Sequence, residues 1–237
     1  MRSLLTAATI SLAFTLFLTP LFIRLFEKLG WGQVIRTPEN AHNPNHHAKR
    51  GTPTMGGVIF ILGSIVGYLV GTLTGGAPPS ISGILVIWMM VGLGAVGFID
   101  DYMKVRQQRS LGLSGWRKVV GQVLVAVPFG IVALNFPNRV GQTPASPLIS
   151  FFRDIPMLSF LALGAVIGWI AYLVWISFLS VAWSNATNLT DGLDGLATGA
   201  GIFTVSAYSL VTFWQFQQRC TSEALVTAYQ AACYDTR

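Results

Sequence analysis

Residues 81–104 read ISGILVIWMMVGLGAVGFIDDYMK. Nothing charged interrupts 81–99, and a helix of that length crosses a hydrocarbon core of ~30 Å. Gly83, Gly92, Gly94 and Gly97 leave room along it for a neighbouring backbone. The run then stops on two adjacent carboxylates, Asp100 and Asp101, with Lys104 and Arg106 just beyond. Five more apolar runs of similar reach lie at 4–26, 56–73, 116–136, 157–183 and 196–216. Pro20 and Pro128 fall inside two of them, which lipid-embedded helices tolerate when neighbours satisfy the freed backbone groups. The first run has only Arg2 ahead of it, is too long for a signal-peptide core and lacks a small-residue cleavage site. The expected fold is therefore all-α: a polytopic integral membrane protein of about six transmembrane helices, one domain over residues 1–237.

Composition agrees. Of 237 residues, 52% are hydrophobic and 10% charged, whereas a soluble domain carries about a quarter charged residues. The net charge of +6 does not indicate nucleic acid, because the bases sit in short connections and form no stripe interleaved with aromatics. Cys220 and Cys233 have no metal-ligand spacing and read as incidental thiols.

Counting bases by side orients the chain. Arg24, Lys28, Arg36, Lys49, Arg50, Lys104, Arg106, Arg109, Arg117 and Lys118 fall on one side. Arg2, Arg139, Arg153, Arg219 and Arg237 fall on the other. Positive charge marks the cytoplasmic side, so the N-terminus is expected outside. Asp100, Asp101, Asp191 and Asp194 then all meet the cytoplasmic face.

Three motifs carry chemistry. Asp100-Asp101 closes the third span, where carboxylates face the unfavourable end of a helix dipole and need an offsetting cation. That cation is either a divalent metal or, on the competing reading, the nearby Lys104 and Arg106. The second motif is NATNLTDGLDGLA, 185–197. Asn188, Asp191 and Asp194 recur every third residue and share a face on a helical turn, a hard-oxygen set suited to Mg²⁺ or a nucleoside. Gly192 and Gly195 open the backbone to a ligand. The competing reading is a helix start whose first turn is acidic. The third is HHAKRGTPTMGG, 46–57, in which Lys49, Thr54 and the glycines at a helix entry suit a phosphate, or else simply anchor the loop. His42, His46 and His47 lack ligand spacing.

At these residues the chain resembles the phospho-N-acetylmuramoyl-pentapeptide transferase family (MraY, translocase I), within the polyprenyl-phosphate N-acetylhexosamine-1-phosphate transferases. HHAKRGTPTMGG, FIDDYMK (98–104) and NATNLTDGLDGLA follow in the family's order. The resemblance implies transfer of phospho-MurNAc-pentapeptide from UDP-MurNAc-pentapeptide to undecaprenyl phosphate, with release of UMP, formation of lipid I and a need for Mg²⁺. It implies catalytic and metal-binding roles for Asp100, Asp101 and Asp191. It also implies substrate binding by Lys49, Thr54, Asn188, Asp194, Gly192 and Gly195. A single displacement and a covalent aspartyl intermediate both stay open. A bacterial inner-membrane location with a cytoplasmic site, and a homodimer, are the matching expectations. The family carries about ten spans, a later M-G-D-x-G-S-type metal aspartate and a histidine-rich loop, none of which occurs up to Arg237. The domain is accordingly expected to be incomplete at its C-terminus and inactive alone.

Two alternatives accompany this reading. A sister transferase would consume UDP-N-acetylglucosamine. An ion-coupled transporter would place its carboxylates near the bilayer midplane on broken helices, whereas these gather at one face.

Overall fold

The computed structural model describes residues 2–32, 53–76, 78–108, 112–137, 143–150, 154–191 and 195–217. Six helices follow one another: α1 Arg2–Lys28, α2 Gly57–Thr74, α3 Ile81–Gln107, α4 Gly115–Asn135, α5 Ala165–Thr190 and α6 Leu196–Gln217. All six are long and apolar enough to cross a membrane. The chain is a multi-pass membrane protein, as its charge-free runs lead one to expect.

Small residues set how the helices meet. Gly63, Gly67, Gly71 and Gly75 recur every fourth residue along and just past α2, on one stripe. They face Ser3, Ala7, Ser11 and Thr15, the matching antiparallel stripe of α1. A methyl group added at Gly67 would overlap the Ser11 hydroxyl and come within 2.6 Å of the Ala7 carbonyl oxygen. Lipid tails are as apolar as leucine, so such close backbone packing replaces the hydrophobic drive that water supplies. The same device repeats onward, with Ile61 of α2 against Gly94 of α3 and Val125 of α4 against Gly92. Gly130 of α4 lies against Leu173 of α5. The Trp88 indole N–H also donates to the Val125 carbonyl at 3.0 Å.

Large apolar side chains point outward instead. Phe17 is 81% exposed, Leu124 68% and Phe203 78%, an arrangement stable only where hydrocarbon is the solvent. Helix α6 buries none of its residues against the others.

Three boundaries differ from expectation. The apolar stretch 157–183 is not one span: Asp154–Ser159 is the second strand (β2) of a small antiparallel hairpin with Leu148–Ser150 (β1). A 3₁₀ turn, Phe160–Leu163, follows, and α5 starts only at Ala165. Gly164, at φ 88°, makes the break in a conformation that glycine adopts without steric cost. Gly168 allows the backbone of Phe160 to lie on the first turn of α5. Second, α3 continues past Asp100 and Asp101 to Gln107. The two carboxylates are therefore not at the helix terminus. Lys104 and Arg106 occupy its last turn, where cations complement the dipole. Third, Asn188 lies in the last turn of α5 and Asp191 caps its C-terminus. The reading of this motif as an acidic helix start is thereby replaced by a helix end.

Candidate functional site

A cavity of about 490 Å³ opens where the end of α3, the start of α4 and the end of α5 converge with the starts of α2 and α6. Asp101, Asn188 and Asp191, which come from two motifs almost ninety positions apart, all line it. Lys118, Ser184 and Thr187 join them on its polar wall, with the solvent-inaccessible Gln122 directly behind. Leu93, Val96 and Phe98 of α3 and Val58 and Ile61 of α2 supply an apolar wall.

Each wall follows from helical spacing. Ser184, Thr187, Asn188 and Asp191 fall at i, i+3, i+4 and i+7 on α5 and so share one face. Lys118 and Gln122 are one turn apart on α4. On α3 the adjacent aspartates diverge. Asp101 faces the cavity with a side chain 37% exposed, and Lys104 Nζ lies 2.9 Å from its Oδ1. Asp100 is buried and does not line the cavity. Its Oδ1 accepts the Leu113 backbone N–H at 2.7 Å. Its Oδ2 sits 2.7 Å from Lys104 Nζ and 3.6 Å from Lys118 Nζ. Gly112 packs so closely on this carboxylate that any side chain would collide with it. Asp100, expected as a catalytic and metal-binding residue, is placed here as the tie between α3, the α3–α4 connection and the first turn of α4.

Thr54 and Met55 stand at the entrance to α2. The Thr54 N–H donates to the Trp31 carbonyl at 3.1 Å, and Gly32 and Pro53 form an isolated bridge. Trp31 stacks on Phe26 and meets Phe98 and Tyr102 edge-on, with centroids at 5.4, 6.0 and 6.0 Å. This aromatic cluster fixes the strand-like entry to α2 beside Asp101. The Thr54 hydroxyl is buried without a hydrogen-bond partner among the described residues. Met55 lines the cavity at φ 69°, an uncommon conformation for a residue with a side chain. Gly195, at φ 78°, immediately precedes α6 in a conformation that glycine adopts without steric cost. Lys49, Gly192 and Asp194 lie outside the described residues, as do the three histidines and both cysteines.

Among the described residues no three His, Cys, Asp or Glu side chains cluster as a ready metal cage. Magnesium seldom needs one, since it binds through one or two carboxylates and completes its shell with water and substrate phosphate. Asp101, Asp191 and the Asn188 amide offer that hard-oxygen set. The oxygens of Asp100 are already committed to Leu113 and the two lysines.

Beside the cavity, an apolar groove of about 550 Å³ runs between α4 and α5. Val119, Val123 and Val127 line one side, with Leu173, Val174 and Phe178 opposite. Val119 and Val123 directly follow Lys118 and Gln122 on α4, so the groove and the cavity occupy neighbouring faces of the same helix.

Residues 83–234 match the model of glycosyl transferase family 4, which takes in α3 to α6 and both acidic motifs. The chain belongs to glycosyl transferase family 4. Residues 49–61 also match signature 1 of phospho-N-acetylmuramoyl-pentapeptide-transferase. Within the family, the chain is 53% identical to a protein of that name from Clavibacter michiganensis subsp. michiganensis, over 99% of this chain and 64% of the relative. It is 45% identical to one from Beutenbergia cavernae, over 100% of this chain and 64% of the relative. A Streptomyces avermitilis relative of the same name is 44% identical over 100% of this chain and 63% of its own length. The chain thus spans just under two thirds of these relatives.

Sequence reasoning had counted Lys118 only as a topological charge and passed over Gln122 and Ser184. The available signal was a polar residue, Gln122, inside the apolar run 119–127, since polar groups inside spans are costly and tend to mark function.

Proposed function

We propose that this site transfers phospho-MurNAc-pentapeptide from its UDP carrier to undecaprenyl phosphate. The donor's phosphoanhydride bond breaks, UMP leaves, and a new phosphoanhydride joins sugar and lipid to form lipid I. The observation that carries this reading is the convergence of Asp101, Lys118, Asn188 and Asp191 on one cavity at the end of a membrane bundle, next to an apolar groove. The relatives that match nearly all of this chain bear the corresponding name.

In this reading the Lys118 ammonium, and that of Lys104 beside Asp101, hold phosphate oxygens. Asp101 orients the acceptor phosphate and takes its proton. Asn188 and Asp191 receive the nucleotide, together with Thr54 and with Lys49, Gly192, Asp194 and Gly195 of the same motifs. Magnesium, held by Asp101 and Asp191, would neutralise the diphosphate as charge builds on the leaving UMP. Asp100 serves by holding the two lysines. The groove between α4 and α5 takes the first isoprene units of the acceptor, whose phosphate then meets Lys118. We place the site on the cytoplasmic side of a bacterial inner membrane, with the N-terminus outside, and expect a homodimer.

The test is UMP release by the complete gene product in detergent, with and without undecaprenyl phosphate. Release that needs both the lipid and UDP-MurNAc-pentapeptide supports the proposal. Turnover of UDP-N-acetylglucosamine in its place would move the chain to the sister activity.

A further inference from the structure

Gln122 is the largest side chain fully shut off from solvent among the described residues. It is an amide set in the apolar middle of α4, and both ends of that amide are used. Its Nε2 donates to Ser184 Oγ at 2.9 Å, and its Oε1 accepts from Asn185 Nδ2 at 3.0 Å. Asn185 Nδ2 also donates to the Val181 carbonyl at 2.8 Å, which holds that side chain along its own helix. One residue of α4 thus grips two consecutive residues of α5. Apolar contacts between the helices are tolerant of a slide, but a paired donor and acceptor are satisfied at a single offset. A half-made pair in the apolar interior leaves polar groups stranded.

That offset matters because of what stands on either side. Lys118 lies one turn from Gln122 on α4, and Asn188 and Asp191 lie one and two turns from Ser184 on α5. We infer that Gln122 is a positioning residue: it sets the register between the lysine wall and the Asn188–Asp191 wall of the cavity. Being 0% exposed, it acts through Ser184 and Asn185 and not on the substrate. The inference rests on the proposed reading, in which a phosphate at one wall must reach a nucleotide held at the other. Each wall alone survives its loss; their alignment does not.

The experiment compares wild-type complete gene product with Gln122→Met, Gln122→Glu, Ser184→Ala and the Gln122→Met/Ser184→Ala double variant. Each is purified as a monodisperse species, and kcat for UMP release and the dissociation constant for UMP are measured. Gln122→Met, similar in volume but apolar, should lower kcat tenfold or more while UMP binding changes less than about twofold. Gln122→Glu keeps the acceptor for Asn185 and should fall between. The double variant should lose little more than Gln122→Met alone, because both remove one link. A wild-type kcat in Gln122→Met, even with a lower melting temperature, would reduce Gln122 to packing and overturn the inference. Parallel loss of UMP binding and kcat would overturn it too. A wild-type protein that binds UMP but turns over no nucleotide-sugar would overturn the proposed function itself, and with it this register role.

Discussion

Asp100 and Asp101 share the Lys104 ammonium, at 2.7 and 2.9 Å, yet only Asp101 opens onto the cavity. Side chains one position apart on a helix point about 100° apart, so two adjacent carboxylates need not do the same work. Here one holds the scaffold and the other faces the cavity. The shared lysine couples them, because a change at either carboxylate alters the charge that the other sees.

Asparagine at the two positions should therefore fail in different ways. Asp101→Asn should lower transfer by about 10²–10⁴-fold, the usual worth of a positioned proton acceptor, with melting behaviour close to wild type. Asp100→Asn should also lower activity, but through the fold. It leaves Lys118 without its buried counter-charge and should cost about 3–5 kcal/mol. Thermal melts in detergent beside the activity assay separate the two.

The glycine stripe of α2 makes a prediction about stability alone. Gly67→Leu should force α1 from α2 and reduce the yield of folded protein, since overpacking of this kind costs about 1–3 kcal/mol or more. Gly67→Ala should be milder, and Ser11→Gly should restore part of what it loses, because the Ser11 hydroxyl is what the new methyl would meet. Melting temperatures of the two single variants and the double variant test this.

Tyr172 offers the opposite sign. Its ring packs among Phe160 and Trp169, but its buried hydroxyl has no hydrogen-bond partner among the described residues. An unmet buried polar group costs about 1–3 kcal/mol. Tyr172→Phe should thus be neutral or stabilising, with unchanged transfer, and a lower melting temperature would show that the hydroxyl has a partner.

Filling the groove should separate the two substrates. Val123→Trp or Leu173→Trp places a large ring where the lipid chain is proposed to lie. The KM for undecaprenyl phosphate should rise about tenfold or more, equivalent to about 1.4 kcal/mol. The KM for the nucleotide-sugar should stay within twofold.

The helical fold was legible because charge-free runs as long as 81–99 have few other uses. The hairpin at 148–159 was not, since Met157 to Trp183 is one apolar stretch in which hydropathy cannot mark where strand gives way to helix. Only Gly164 hinted at the break. Likewise the end of α3 was read from loss of hydropathy at Asp100, although hydrogen bonding carries the helix on to Gln107. Of the site, Asp101, Asn188 and Asp191 were visible as carboxylate and amide motifs, and the structure brings them to one cavity. Spacing could not reveal that Asp100 turns away, because that depends on Gly112 and Leu113 folding back onto it. Nor could it join Lys118 and Gln122 to Ser184, a meeting that requires α4 and α5 to be packed together first.

The most direct measurement is UMP release from UDP-MurNAc-pentapeptide by the complete gene product with undecaprenyl phosphate, in Mg²⁺ and in EDTA, with Asp101→Asn alongside. Release that disappears in EDTA and in Asp101→Asn, from protein that melts as the wild type does, is the result this account predicts. Release that persists undiminished in Asp101→Asn would contradict it, because the cavity-facing carboxylate of α3 would then have no part in the chemistry.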